Sequence, residues 1–423
     1  MKNYKLSKYN WAIDKSSYII LYNGFTDTLA KVDDADRMNR INPLFSGIAS
    51  IEEVNRDDSE LFDFLVHGGF LIPAEFDERE YFRQQFNRSK YAGIVAITAV
   101  VTTGCNFKCT YCYEELESRP VEVMDTHTAD AIVDYCRQIG AKNVFVTLYG
   151  GEPLLNKEVC IHLINAMQEL EDCKVGFHMV TNGYLLDEAT AITLSGMGVK
   201  AAQITLDGPR EIHDSQRMLK DGSGTYEVVV KNITSAARHM KVQVRVNIGR
   251  HSAQAYDHIK ELFKDNSAIF VYPAAIQDYA NPKCAAPDHD FMAEILGADK
   301  VPVPRIKAKQ PGCIATNMTG MVVLPDGQIV KCWREVTSWD KEAYRMPYGI
   351  DIRSINMINR EWEKYNPYDS NNKCYQCKML PSCGGGCPYE HVINNTHKCK
   401  YTETMYRQYI ERMYQDKMSE LKG

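Results

Sequence analysis

The sequence predicts an α/β protein built on a partial barrel, with a smaller mixed unit in front and a cysteine-rich unit behind. Three observations predict it. Between residues 94 and 276, six apolar runs alternate with helical stretches, the pattern of parallel βαβ units. The runs are almost continuously apolar, as strands covered on both faces are. Seven of the fourteen cysteines lie between 313 and 399, in a stretch with few long helices, the look of a small unit ordered by metal.

Taken in order, "YIILYNGFTDTLAKV" (18–32) is two β-prone runs around Asn23-Gly24, a hairpin signal. "DSELFDFLVHGGFLI" (58–72) is a short helix opened by the Asp57/Asp58/Ser59 cap and closed by Gly68-Gly69, with an apolar strand or turn after it. "DEREYFRQQFNRSKYAG" (77–93) reads as a connecting helix. The six runs then follow: "IVAITAVVTT", "NVFVTLYG", "KVGFHMVTNG", "AAQITLDG", "KVQVRVNIG" and "AIFVYPAA". Six units are too few for a closed eight-stranded barrel. The tail "YTETMYRQYIERMYQDKMSELKG" is a terminal helix.

Composition narrows the function. Hydrophobic content of 44% and charged content of 25% are ordinary for a globular chain. A formal charge of -6 argues against a bulk nucleic-acid binder. The N-terminal "MKNYKLSKYNWAIDKSS" lacks the apolar core of a signal peptide, and the most apolar run, near 92–101, is too short to span a bilayer. The expectation is a cytoplasmic protein with no nucleic-acid or membrane partner. In that compartment clustered cysteines bind metal or react rather than form disulfides. Cys136 and Cys160, in helix-like stretches, are expected in the core.

The chemistry concentrates at "TTGCNFKCTYCYEE" (102–115), where Cys105, Cys109 and Cys112 directly follow the first strand. Loops at the carboxyl ends of barrel strands build active sites. Three thiolates hold three corners of a 4Fe–4S cluster and leave one iron open to a substrate or cofactor, whereas structural zinc usually takes four protein ligands. The spacing alone leaves both open. The second strand ends in Gly150-Gly151-Glu152-Pro153, the third in Thr181-Asn182-Gly183, and the fourth in "TLDGPREIHDSQR", with Thr205, Asp207 and Arg217. Each stretch alone is ordinary turn chemistry. Four in succession at one barrel mouth make a site.

This set, over residues 94–276, resembles the radical S-adenosylmethionine (SAM) superfamily. The resemblance implies a partial (β/α)6 TIM-like barrel in which Cys105, Cys109 and Cys112 hold three irons and the fourth chelates the amino and carboxylate groups of SAM. It implies that Glu152 and the Gly150-Gly151 backbone receive the amino group, that Tyr111 lies near the adenine, and that Asn182 contacts the cofactor. Thr205 and Arg217 become candidates for the carboxylate or ribose, with Arg245 and Asn247 weaker ones. The implied reaction is a one-electron cleavage of the sulfonium, giving a 5′-deoxyadenosyl radical that removes hydrogen from substrate behind a dry barrel mouth.

The later cysteines read Cys313-x13-Gly327-x4-Cys332, then Cys374-x2-Cys377-x5-Cys383-x3-Cys387, then Cys399. Two zinc-ribbon sites would fit these spacings. They also resemble the SPASM domain of peptide-modifying radical SAM enzymes. That resemblance assigns one auxiliary 4Fe–4S cluster to Cys374, Cys377, Cys383 and Cys399, and another to Cys313, Cys332 and Cys387. The latter is one ligand short: either Cys284 completes it or an iron is open to a substrate thiolate. Residues 1–88 resemble the winged-helix-like RiPP recognition element, which implies strand addition of a leader peptide to a sheet edge. The bland alternative is a lid that binds nothing.

The expected units are therefore 1–88, 94–300 and 301–423. The expected protein is a radical SAM/SPASM maturase with three 4Fe–4S clusters and SAM. Its partners would be a precursor peptide of leader plus core, and an external low-potential electron donor such as flavodoxin or ferredoxin. The product would be a thioether or carbon–carbon crosslink. Two alternatives stand: an anaerobic sulfatase-maturing, formylglycine-generating enzyme, and a non-catalytic metal-binding redox sensor.

Overall fold

The structure, a computed structural model, describes residues 3–91, 93–112, 121–249, 255–276, 313–337, 349–397, 399 and 401–421. Cys284 lies outside the described residues.

The front region holds β1 (Tyr4–Leu6), β2 (Asn10–Asp14), β3 (Ile19–Asn23), β4 (Thr28–Val32) and β5 (Leu71–Pro73). Strands β2, β3 and β4 form an antiparallel meander, and β1 pairs with β5. Asn23 makes the anticipated turn. Its buried amide oxygen accepts from the Phe25 and Thr26 N–H groups, and its nitrogen donates to Asn10 and to the Gly69 carbonyl. Helices 35–45, 51–57 and 59–67 follow, the last capped by Asp58, which accepts from Leu61 N–H at 2.8 Å. Strand alternation gives β3 two buried faces. Ile19 and Leu21 pack on these helices, while Ile20 and Tyr22, with Trp11 and Ile13 of β2, pack on Tyr406, Tyr409 and Ile410. Those three belong to helix Glu403–Glu420, so the two ends of the chain clasp each other.

The central region holds β6 (Val95–Thr102), β7 (Phe107–Cys109), β8 (Asn143–Gly150), β9 (Lys174–Thr181), β10 (Val199–Thr205), β11 (Arg217–Leu219), β12 (Lys241–Ile248) and β13 (Ile269–Ala275). The six runs read from the sequence are six parallel strands, ordered β6-β8-β9-β10-β12-β13. Helices 126–138, 157–168, 188–196, 226–236 and 255–262 lie between successive strands. Cys136 and Cys160 are buried in this core, as expected. Two features are additional. Strands β7 and β11 form a short antiparallel ribbon that pairs Cys109 with Arg217. From the cysteine-rich region, β14 (Met321–Val323) joins the β6 edge in parallel and β15 (Ile329–Val330) pairs antiparallel to it, giving an eight-stranded sheet. Ile355, Ile358 and Trp362 of helix Ile352–Trp362 complete the same core. Among the described residues no helix is long and apolar enough to cross a membrane.

Candidate active site at the carboxyl ends of the strands

A cavity of about 270 Å³ opens at the carboxyl ends of the parallel strands. Cys105, Cys109 and Cys112 line it together with Tyr111, Gly150, Gly151, Asn182, Thr205, Arg217, Arg245 and Asn247. Sequence reasoning missed several lining residues: Phe107, Tyr149, Gln203 and Ile276, and Trp333 and Arg334 from the cysteine-rich region. Trp333 stacks on Tyr149 with ring centroids 4.4 Å apart and donates its indole N–H to Thr98 at 2.9 Å. Arg334 lies over the Tyr389 ring and pairs with Glu390. Their only sequence signal was position: they follow Cys332 directly.

The cysteine loop is fixed to the sheet through its backbone. Gly151 N–H donates to the Thr102 carbonyl at 3.1 Å, and Glu152 N–H to the Gly104 carbonyl at 2.8 Å. A Cβ on Gly150 would sit 2.1 Å from Thr102 O, and one on Gly151 2.4 Å from Gly104 O. Gly150 also has φ +145°, where L side chains rarely go. The close approach these glycines permit is thus to the chain that carries the cysteines. Glu152 has partners within the protein. It is fully buried behind the cavity wall, where its carboxylate accepts from Thr181 Oγ1, Asn182 N–H at 2.7 Å and Leu154 N–H at 3.0 Å. Burial lifts this carboxyl above its ordinary range, with those hydrogen bonds opposing. It ties the second strand end to the third.

Tyr111 contributes both an aromatic wall and an anchor. Its hydroxyl bonds the Asp207 carboxylate and accepts from Arg217 at 2.8 Å and Asn247 Nδ2 at 3.0 Å. Asp207 also accepts from Asn247 N–H at 3.0 Å. Burial pushes the Asp207 carboxyl up, and the Arg217 guanidinium pulls it down. Arg217, 8% exposed, has no hydrogen-bond partner for its Nε among the described residues. Asn182 donates to Asn106 at 2.8 Å and reaches the Cys105 sulfur at 3.8 Å. Burial pushes the Cys105 thiol up to about 12, so a metal is what would hold it as a thiolate. Three soft sulfurs on one loop, and a buried guanidinium N–H without a hydrogen-bond partner among the described residues, fit a cluster with an open iron beside a cofactor bearing a carboxylate.

The seven cysteines of the rear region fall into two groups. Cys374 lies near enough to Cys383, Cys377 and Cys399 for their charges to act on its thiol, which burial pushes up to about 12. Cys332 feels Cys313 and Cys387 in the same way. Between Cys383 and Cys387 three consecutive glycines have φ of +68°, +90° and +85°. A Cβ on Gly385 would meet Pro367 at 2.2 Å. This turn sends the two flanking cysteines to different groups.

Fold and site together define a partial-barrel protein with a thiol-lined mouth. Residues 99–265 match the Radical SAM superfamily, so this stretch of the chain carries a radical SAM domain. It is 24% identical over 328 residues to the cysteine-type anaerobic sulfatase-maturating enzyme of Clostridium perfringens, covering 68% of this chain and 86% of that one. It is 29% identical over 162 residues to the probable GTP 3',8-cyclase of Archaeoglobus fulgidus, covering 38% of this chain and about half, 51%, of the relative. Among solved structures, native anSMEcpe with bound AdoMet and Cp18Cys peptide matches with TM-score 0.61 and 19% identity over 77% of this chain and 98% of that chain. Streptococcus suis SuiB bound to S-adenosylmethionine matches with TM-score 0.52 and 15% identity over 95% of this chain and 100% of that chain. At such identities these structural likenesses speak to fold alone.

Proposed function

We propose that this enzyme is a peptide maturase that removes hydrogen from a residue of a ribosomally made precursor and forms a thioether or carbon–carbon crosslink. One observation carries the reading: a single cavity joins Cys105, Cys109 and Cys112 of the barrel to Trp333 and Arg334 of the cysteine-rich region. With a 4Fe–4S cluster and SAM bound, the site supplies one-electron cleavage of a sulfonium and hydrogen-atom abstraction. The chain's own residues do the rest. The three cysteines hold the cluster, and the Gly150-Gly151 backbone, Asn182 and Thr205 form the cofactor wall. Arg217 offers its Nε–H to a carboxylate, and the Trp333–Tyr149 stack narrows access by water.

The two further cysteine groups are proposed as SPASM-type auxiliary clusters, one on Cys374, Cys377, Cys383 and Cys399, the other on Cys313, Cys332 and Cys387 with Cys284 or a substrate thiolate. They would take the electron that a substrate radical must lose to become a closed-shell product. An external flavodoxin- or ferredoxin-like donor in the cytoplasm would supply the reducing electron. The front unit, residues 1–88, is proposed to receive the leader by strand addition at β4, which among the described strands pairs only with β3.

The test is anaerobic incubation of the reduced protein with SAM, dithionite and a precursor peptide encoded beside the gene. Formation of 5′-deoxyadenosine with loss of two hydrogens from the peptide per crosslink supports the proposal. Absence of 5′-deoxyadenosine favours a sensor, and a formylglycine product the sulfatase-maturing reading. Deleting residues 1–88 would strip the cover from Tyr406, Tyr409 and Ile410, so leader docking is better read by amide exchange. Precursor should slow exchange across Thr28–Val32, and unchanged rates there would reject that edge.

A further inference from the structure

His397 lies within the cysteine group of Cys374, Cys377, Cys383 and Cys399. Its Nε2 is 3.7 Å from the Cys374 sulfur and 3.6 Å from the Cys399 sulfur, both within hydrogen-bond reach of sulfur. Its other nitrogen, Nδ1, is 3.0 Å from His391 Nε2. The two imidazoles meet edge to face, with centroids 4.8 Å apart. His391 in turn packs edgewise on Tyr365 at 5.2 Å, whose hydroxyl donates to the Gly384 carbonyl at 2.8 Å. The ring is therefore held from behind.

Thiolates are acceptors only, so a bare imidazole lone pair facing two of them would be repelled. With its proton on Nε2 the ring would donate to these sulfurs and leave Nδ1 to accept from His391. The imidazole is placed beside the two sulfurs at hydrogen-bond distance. Hydrogen bonds to cluster sulfurs withdraw negative charge and favour the reduced state.

We infer that His397, oriented by His391, donates a hydrogen bond to the sulfurs of Cys374 and Cys399 and so raises the reduction potential of the cluster they hold. This rests on the auxiliary-cluster reading of these four cysteines. Within it, the inference names this group as one tuned to accept electrons.

The experiment is an EPR-monitored redox titration of the anaerobically purified full chain, with His397→Phe and His397→Gln variants and iron counted in each. The signal of this site is identified as the one lost in Cys377→Ala. His397→Phe, which keeps a ring and loses the donor, should shift that midpoint to more negative potential and leave the others in place. His397→Gln, whose amide N–H reaches similarly far, should restore most of the shift. Wild-type protein labelled with 15N-histidine should show only weak nitrogen coupling to this signal. An unmoved midpoint in His397→Phe at full iron content overturns the inference, and so does the strong coupling of a directly ligated nitrogen. If Cys377→Ala loses neither iron nor signal, the cluster reading itself has failed and takes the inference with it.

Discussion

The two cysteine-bearing regions are built in opposite ways. At the barrel mouth, three thiols come from eight consecutive positions on one loop, welded through backbone hydrogen bonds to two strands of a large parallel sheet. In the rear region, the sulfurs come from positions spread over 313 to 399 and rest on short 3-10 turns, four- and five-residue helices and a run of left-handed glycines. The first site takes its shape from a hydrophobic core. The second has little core of its own and depends on what its sulfurs hold. A reaction centre gains from preorganised geometry, whereas the electron-handling role proposed for the rear sulfurs would require chiefly ligation and tuning.

Removing iron should break the comparison most visibly. Chelation under reducing conditions should raise protease cleavage within 365–399 on the order of a hundredfold, while cleavage within the barrel stays near its original rate. Limited proteolysis with mass spectrometry reads both regions at once, and equal loss of protection would contradict it. Next in size is Gly150→Ala. The added Cβ meets Thr102 O at 2.1 Å, so the strand end and the cysteine loop must part. SAM cleavage should fall by about a hundredfold, measured as 5′-deoxyadenosine formed per cluster, with little change in signals from the rear sites.

Lys331 sharpens the boundary between the regions. Its ammonium is fully buried and donates to the Asn317 and Gly320 carbonyls and to Asn359 Oδ1. Lys331→Met takes a donor from all three acceptors, of which the Asn317 carbonyl keeps the Gly320 N–H, and should cost about 3 kcal/mol, read as lost thermal stability of the β14–β15 attachment. The smallest effect is expected for Tyr111→Phe. It removes the hydroxyl that Arg217 and Asn247 both donate to and should weaken SAM binding by about tenfold, with the cluster retained.

Much of the barrel was legible because its signals are local. Six β-prone runs, the Asn23 turn, the Asp58 cap and the cysteine spacing each sit within a few residues of sequence. The β14–β15 hairpin was written as openly, with Pro325-Asp326-Gly327 between apolar runs, but its pairing with β6 joins positions more than two hundred apart. Side-chain direction was illegible too. Sequence places the Glu152 carboxylate at a strand end without saying that Thr181 and Asn182 donate to it. His397 gave no signal, since a histidine two residues from a cysteine acquires meaning only when Cys374 folds back beside it.

One measurement reaches the central claim directly: EPR of the reduced, anaerobically purified protein before and after SAM, with a Cys105→Ala/Cys109→Ala/Cys112→Ala variant alongside. The account predicts a cluster signal that changes when SAM is added and is missing from the variant. A barrel loop that holds zinc without iron, or a signal at that loop indifferent to SAM, would contradict it.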